Sequence, residues 1–341
     1  MKKRMSAVFC IFIMCLGMTG CGFSGNVESQ ELIRGDAPEY NDDLIHVGMI
    51  QTGKESDWRD ANTNDYIDTF TAERGYELIY IDGNSSSERQ VKAMHDLIQQ
   101  QVDYIIVQPI VEDGWEDAMA AAKKAGIPVI VADRQMAVAE EEYVSWIGSD
   151  FEEEGHKAVK WLEEYLKEQG RENEEIDIVL LEGTQGATAT IGRTEGILAG
   201  VEKHSNWTIV DRGCANFTQG EGQTYMEALL SSGTVSDIDV IISENDNMIF
   251  GAMKALERND LTYGPDGDII MISFDALHEA FEKMLAGQLH ASIECNPLLA
   301  GTVEQVILDL EAGNKVEKIY NIEEGVYTYE NAAEFIDERK Y

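Results

Sequence analysis

Residues 177–193 read Asp177-Ile178-Val179-Leu180-Leu181-Glu182-Gly183-Thr184-Gln185-Gly186-Ala187-Thr188-Ala189-Thr190-Ile191-Gly192-Arg193. The first five residues include four large apolar side chains in a row. A strand sends successive side chains to opposite faces, so an unbroken apolar run is covered on both of them. Small and polar residues then end the strand, and a helical stretch carries Arg193. A strand covered on both faces, a turn and a helix make the unit from which parallel sheets are wound. The glycines of the turn lack the Gly-Lys-Ser/Thr ending of a phosphate loop and the spacing of a dinucleotide fingerprint, which excludes both.

The same unit recurs along the chain. Strands are expected at His46–Ile50, Glu77–Ile81, Tyr104–Val107, Pro128–Ala132, Tyr143–Ile147, Thr208–Val210, Val240–Ile242, Ile269–Ser273 and His290–Ile293. Helical stretches lie between them, among them Ser87–Gln100, Asp113–Lys124, Phe151–Gln169, Gln219–Ser231 and Asp246–Arg258. Ser56 or Asp57 is placed to cap the first helix, and Gly126-Ile127-Pro128 closes the third. So many strands exceed one open sheet. The pattern predicts an α/β fold of two doubly wound parallel-sheet lobes with a cleft between them.

The N-terminus reads as a targeting segment. Lys2, Lys3 and Arg4 precede an apolar run from Ala7 to Met18, which is too short to span a bilayer stably. It ends in Met18-Thr19-Gly20-Cys21, which resembles the lipobox of bacterial lipoproteins. Residues 1–20 are accordingly expected to be a lipoprotein signal peptide. Cys21 is the expected lipidation site, and 21–44 a flexible tether that is polar and without periodicity. The protein is then expected on the outer face of the bacterial cell membrane. The formal net charge is −38, three units more negative once Lys2, Lys3 and Arg4 leave. Such a chain repels phosphates, which excludes nucleic acid as a partner. Beyond the signal and Cys21 only Cys214 and Cys295 remain, too few for a disulfide framework, and their pairing stays open.

Ligands of doubly wound sheets sit beyond the carboxyl ends of the strands. Those places hold Ser56-Asp57-Trp58-Arg59, Asp133-Arg134, the turn before Arg193, Ser243-Glu244-Asn245-Asp246-Asn247, Phe274-Asp275 and Glu294. A sugar hydroxyl both donates and accepts hydrogen bonds. Carboxylates accept, guanidinium groups donate in a rigid fork, and Asn does both. Aromatic faces such as Trp58 and Phe217 suit the C–H face of a sugar ring. The six histidines are scattered and no His-Glu-x-x-His occurs, so no metal or other cofactor is indicated. The Gly-x-Ser-x-Gly of a hydrolase elbow is absent, and no enzymatic activity is expected.

The order of these stretches over nearly three hundred residues, with Gly183-Thr184-x-Gly186-Ala187, Asn216-Phe217-Thr218 and Ser292-Ile293-Glu294-x-x-Pro297, resembles the type I periplasmic sugar-binding proteins of ABC importers. Within their ribose- and galactose-binding group it is most similar to the galactofuranose binders. Gln108-Pro109 departs from the Asn usual in ribose binders, which weakens ribose as the ligand. The resemblance implies that Trp58 and Arg59 cover the sugar from the first lobe, and that Asp133 and Arg134 bond its hydroxyls where the chain first crosses between lobes. It further implies Arg193, Phe217 and Asn245 from the second lobe, Asp275 near the hinge, and Glu294 at the second crossing.

A three-segment hinge is implied, with a third crossing near Tyr320–Glu323. The first lobe then comprises 45–134 plus 295–321 and the second 135–294 plus 322–341. The implied activity is capture of a monosaccharide, a galactofuranose- or galactose-like hexose or a related sugar, and its delivery to the permease subunits of an ABC importer. A monomer is expected. A lipoprotein that senses the sugar for a membrane receptor or kinase is the alternative. The same lobes in a LacI-type repressor would need a basic DNA-binding head, which this chain lacks.

Overall fold

The protein is described from a computed structural model covering residues 43–235 and 237–341. The signal peptide 1–20, Cys21 and the tether up to residue 42 lie outside the described residues.

Five strands form in the first half, β1 (Ile45–Gln51), β2 (Tyr76–Asp82), β3 (Tyr104–Val107), β4 (Val129–Ala132) and β5 (Trp146–Gly148). Five follow later, β6 (Ile176–Glu182), β7 (Trp207–Cys214), β8 (Val240–Ser243), β9 (Ile270–Asp275) and β10 (Ala291–Glu294). Two short strands come last, β11 (Ile319–Asn321) and β12 (Val326–Thr328). They build two six-stranded sheets, ordered β11-β5-β4-β3-β1-β2 and β12-β10-β9-β8-β6-β7. All pairings are parallel except β10 with β12.

The helices are α1 (Asp57–Thr69), α2 (Ser87–Gln100), α3 (Glu116–Ala125), α4 (Phe151–Glu168), α5 (Thr188–Val201), α6 (Gln219–Ser232), α7 (Asp246–Arg258), α8 (His278–Leu285), α9 (Ala300–Glu311) and the single turn α10 (Ala332–Phe335). They cover both faces of each sheet. Ile178 and Leu180 of β6 pack with Leu162 of α4 and Ile197 of α5. Their neighbours Val179 and Leu181 pack on the other face with Met226 of α6 and Met248 of α7. The apolar run Ile178–Leu181 therefore serves two cores at once, as a doubly covered strand requires. In the first sheet Ile105 and Val107 of β3 face α2 and α3, while Ile106 faces α1 and α9.

Sheet membership corrects one expected boundary. β5 pairs with β4 and β11, so the chain stays in the first lobe through Gly148 and crosses at Ser149–Asp150, not after Arg134. Asp133 N binds Ile147 O, which holds the end of β4 beside β5. Residues 135–148 thus belong with the first sheet. Sequence order misled here because β4 and β5 are joined by an irregular stretch that mimics an exit from the lobe. The other two crossings follow β10 at Cys295 and join β11 to β12 through residues 322–325.

The lobes are closed on one another. Asn247 Nδ2 donates to Asp57 Oδ2 at 2.6 Å, Gln135 N to Thr188 Oγ1 at 2.9 Å, and Glu112 N to Gly186 O at 3.0 Å. Each joins the rim of one sheet to the rim of the other. Cys214 and Cys295 are free thiols.

Candidate functional site

Ser56 caps α1 by accepting a hydrogen bond from Arg59 N at 3.2 Å, which fixes Trp58 and Arg59 in the first turn, facing the cleft. Arg59 is almost wholly buried and fully engaged at its tips. Nη2 donates to Asp133 Oδ2 at 2.7 Å and Glu55 Oε1 at 3.1 Å, and Nη1 to Gln108 Oε1 at 2.5 Å. Arg134 Nη2 meets the same Glu55 Oε1 at 2.5 Å. Burial alone would push the Glu55 carboxyl up, but Arg134 and Arg59 outweigh it and hold Glu55 below the ordinary range. Glu55 thereby splints two guanidinium groups side by side. Arg134 Nε has no protein partner among the described residues, and its guanidinium lies 5.0 Å from the centre of the Phe217 ring across the cleft.

Phe217 reaches that position because Gly183 leaves room. A Cβ on Gly183 would overlap the Phe217 ring. Asn245 caps α7, accepting from Met248 N at 2.9 Å, and its Nδ2 donates to Phe217 O at 3.0 Å. Arg193 enters from α5. Gly155 and Gly196 let α4 and α5 approach until backbone nearly meets backbone, since a Cβ on either would overlap the facing helix. That contact sets Glu154 against Arg193, with Nε to Glu154 Oε2 at 2.6 Å. Arg193 also binds Glu244 O and lies 3.6 Å from Asp275 Oδ1.

Burial raises two adjacent acids on the second lobe's side of the cleft, Asp246 and Asp275. Asp246 accepts from Ser273 Oγ, Ser292 Oγ and Leu277 N, yet burial pushes it up to about 7. Burial drives the adjacent Asp275 well above its usual value, and Arg193 only partly offsets this. Asp246 has three donors that favour its ionised form, while Asp275 has the Arg193 guanidinium as its neighbouring cation.

The backbone at the strand ends is unusual. Asp133 has φ 60°, Asp275 φ 105° and Phe217 φ 61°. Such angles are costly for non-glycine residues and cluster where side chains are aimed at a ligand.

These groups line one cavity between the lobes. Trp58, Arg59, Asp133 and Arg134 face it from the first sheet's side. Arg193, Phe217, Asn245 and Asp275 face it from the second.

Glu294 is a correction. Its carboxylate turns away from the cavity and accepts from Arg339 Nη1 at 2.6 Å, Tyr341 OH at 2.9 Å and Gly325 N at 2.9 Å. Successive side chains alternate at a strand end, so it is the next residue, Cys295, that reaches the cavity. Glu55, Phe151 and Ala189 also line it and were not singled out in the sequence. The i, i+4 spacing of Glu55 and Arg59 was an available signal for the first.

Residues 47–304 match the family of periplasmic binding protein domains. The galactofuranose-binding protein YtfQ of Escherichia coli (strain K12) is 30% identical over 299 residues, covering 87% of this chain and 92% of that protein. A Mycobacterium smegmatis protein solved in complex with β-D-fucofuranose superposes with a TM-score of 0.82 at 34% identity, over 87% of this chain and 96% of its own. The binding component of an arabinose ABC transporter from Shewanella sp. ANA-3, bound to α- and β-L-arabinofuranose, gives 0.80 at 34% identity, over 86% and 95%.

Proposed function

Because this chain belongs to the periplasmic binding protein family, a family of extracytoplasmic binding proteins with the type I fold and not of enzymes, we propose that it captures a monosaccharide in furanose form and delivers it to an ABC importer. The observation that carries this reading is the cavity itself. Three guanidinium groups alternate with carboxyls on both of its walls, and Trp58, Phe151 and Phe217 supply aromatic surface. Arg134 Nε, with no protein partner among the described residues, is a donor ready for a sugar oxygen. Asp133 and Asp275 offer acceptors and Arg134 Nε a donor, so a ring hydroxyl finds both kinds of partner. Analogues lacking a hydroxyl would leave one of these buried groups unpaired and would be rejected. The galactofuranose, fucofuranose and arabinofuranose named for the relatives share a five-membered ring, which favours a galactofuranose-like sugar or a pentofuranose here.

Calorimetry with galactose, fucose, arabinose, ribose and fructose is expected to give at least one sugar bound more tightly than about millimolar. NMR of the bound ¹³C-labelled sugar is expected to show the five-membered ring. Failure of every sugar would refute the reading, and a bound pyranose would refute its furanose part. Cells lacking the protein should lose uptake of the labelled sugar. Retained uptake with lost gene induction would favour sensing.

The proposal includes membrane anchoring through Cys21, on the strength of Met18-Thr19-Gly20-Cys21 after the apolar run. Cys21→Ser is expected to move the protein from the membrane fraction to the soluble extracytoplasmic fraction, because two acyl chains anchor where none remains. An unchanged membrane fraction would remove lipidation from the account.

A further inference from the structure

The three crossings between the lobes meet in one buried cluster. Ser149 comes from the first, Cys295 and Asn296 from the second, and Glu324 from the third. Ser149 Oγ donates to Glu324 Oε1 at 2.5 Å and lies 3.4 Å from Cys295 Sγ. Asn296 N donates to the same Glu324 oxygen at 2.8 Å. Glu154, from the first turn of α4, completes the group. One oxygen of each glutamate and the Cys295 sulfur all lie within 4.8 Å of one another.

Charge is poorly compensated there. Glu154 has no exposed surface; its Oε2 takes Arg193, Oε1 has no hydrogen-bond partner within ordinary distance among the described residues, and the Cys295 thiol and the Glu324 carboxyl stand beside the group. Arg193 is shared with Asp275. Lys157 Nζ binds the Glu324 backbone oxygen rather than the carboxyl. Two carboxylates this close in a dry site cannot both ionise.

We propose that Glu154 and Glu324 share one proton across the closed hinge, so that closure over a sugar takes up a proton and alkaline solution favours opening. The inference rests on the binding function proposed above. It deepens that function by coupling the hinge, through Glu154 and Arg193, to Asp275 in the cavity. When the crossings part, water reaches Glu324 and its ordinary acidity returns.

The groups around the pair agree with this. Burial pushes Glu324 up to about 9, and neighbouring Glu154 adds to the rise. Burial raises Glu154 too, against the pull of Arg193. Burial keeps the Cys295 thiol protonated, so it contributes no competing charge. Glu244, pushed up to about 8 by burial, and Asp246 keep their partners within the second lobe, so lobe closure leaves them unchanged.

The sign follows. The closed form binds more protons than the open form between the ordinary glutamate range and about 9. Its advantage is therefore fully present in acid, declines as pH rises through that window, and is gone above it.

The test is calorimetric sugar binding in buffers of different ionisation enthalpy, with the wild-type chain and Glu324→Gln. The wild type is expected to take up about one proton per sugar near pH 7.5, and to lose about tenfold or more in affinity between pH 6 and 9. Glu324→Gln should take up about one proton fewer and show a flatter profile. Ser149→Ala gives a second arm, since it removes a donor to ionised Glu324 and should move the affinity loss to higher pH. Equal proton uptake by wild type and Glu324→Gln would overturn the inference. So would one tightly held zinc ion per chain by elemental analysis, because a metal would then take the proton's place. Failure of both proteins to bind any sugar at any pH would instead strike the binding function itself.

Discussion

Arg193→Met is expected to lower unfolding stability by about 3–5 kcal/mol, more than any other single change in the cavity. The reason is what it strands. Glu154 has no exposed surface and Asp275 is nearly as buried, and both face the Arg193 guanidinium. Methionine fills much of the volume but leaves two carboxyl groups without a cation in a low-dielectric setting. Sugar affinity should fall with it, since the same guanidinium lines the cavity. Denaturant unfolding gives the first quantity and calorimetry the second. Adding Glu154→Gln to the variant should restore part of the stability, because it removes one stranded charge. A loss below about 1 kcal/mol would show that the buried ion pair does not form.

Asp133→Asn should leave the fold nearly intact and cut sugar affinity by about 10–100-fold, or roughly 1.5–3 kcal/mol. Asn is the informative replacement because Asp133 has φ 60°, a conformation that Asn tolerates and most side chains do not. Arg59 keeps Glu55 and Gln108 as partners, so its position survives. What disappears is a charged acceptor for the sugar and the charge-assisted bond to Arg59 at 2.7 Å. Asp133→Ala adds backbone strain to the same loss and should be worse in both stability and affinity. Affinity within twofold of wild type for Asp133→Asn would remove Asp133 from the site.

Most of the fold was legible because each strand announces itself. Ile178–Leu181, Tyr104–Val107 and Val240–Ile242 are short, apolar and followed by polar turns, and each run is buried throughout within its strand. The rule that ligands gather beyond strand ends then brought eight of the nine chosen residues to one cavity. The misses share a cause. Glu294 failed by one residue because sequence gives a strand's end only to within a residue or two, while facing alternates with every residue. The crossing after Gly148 was missed because β5 has only three residues and its partner β11 lies more than 170 positions away. The carboxyl cluster at the hinge was invisible for a similar reason. Its members come from three separate stretches, and in a chain with 64 acids no single glutamate stands out.

The three crossings also determine when each lobe can be finished. No continuous segment holds either lobe entire. The face of the first sheet formed by Val47, Met49, Ile106 and Ile130 stays only partly covered, by α1, until Val303 and Ile307 of α9 arrive, and its edge waits for β11. An emerging chain tends to fold one domain after another from its beginning. Here the leading half must remain incomplete until nearly the last residue is made. For a protein that works outside the cytoplasm, that delay keeps the chain threadable through an export channel, and completion comes on the far side.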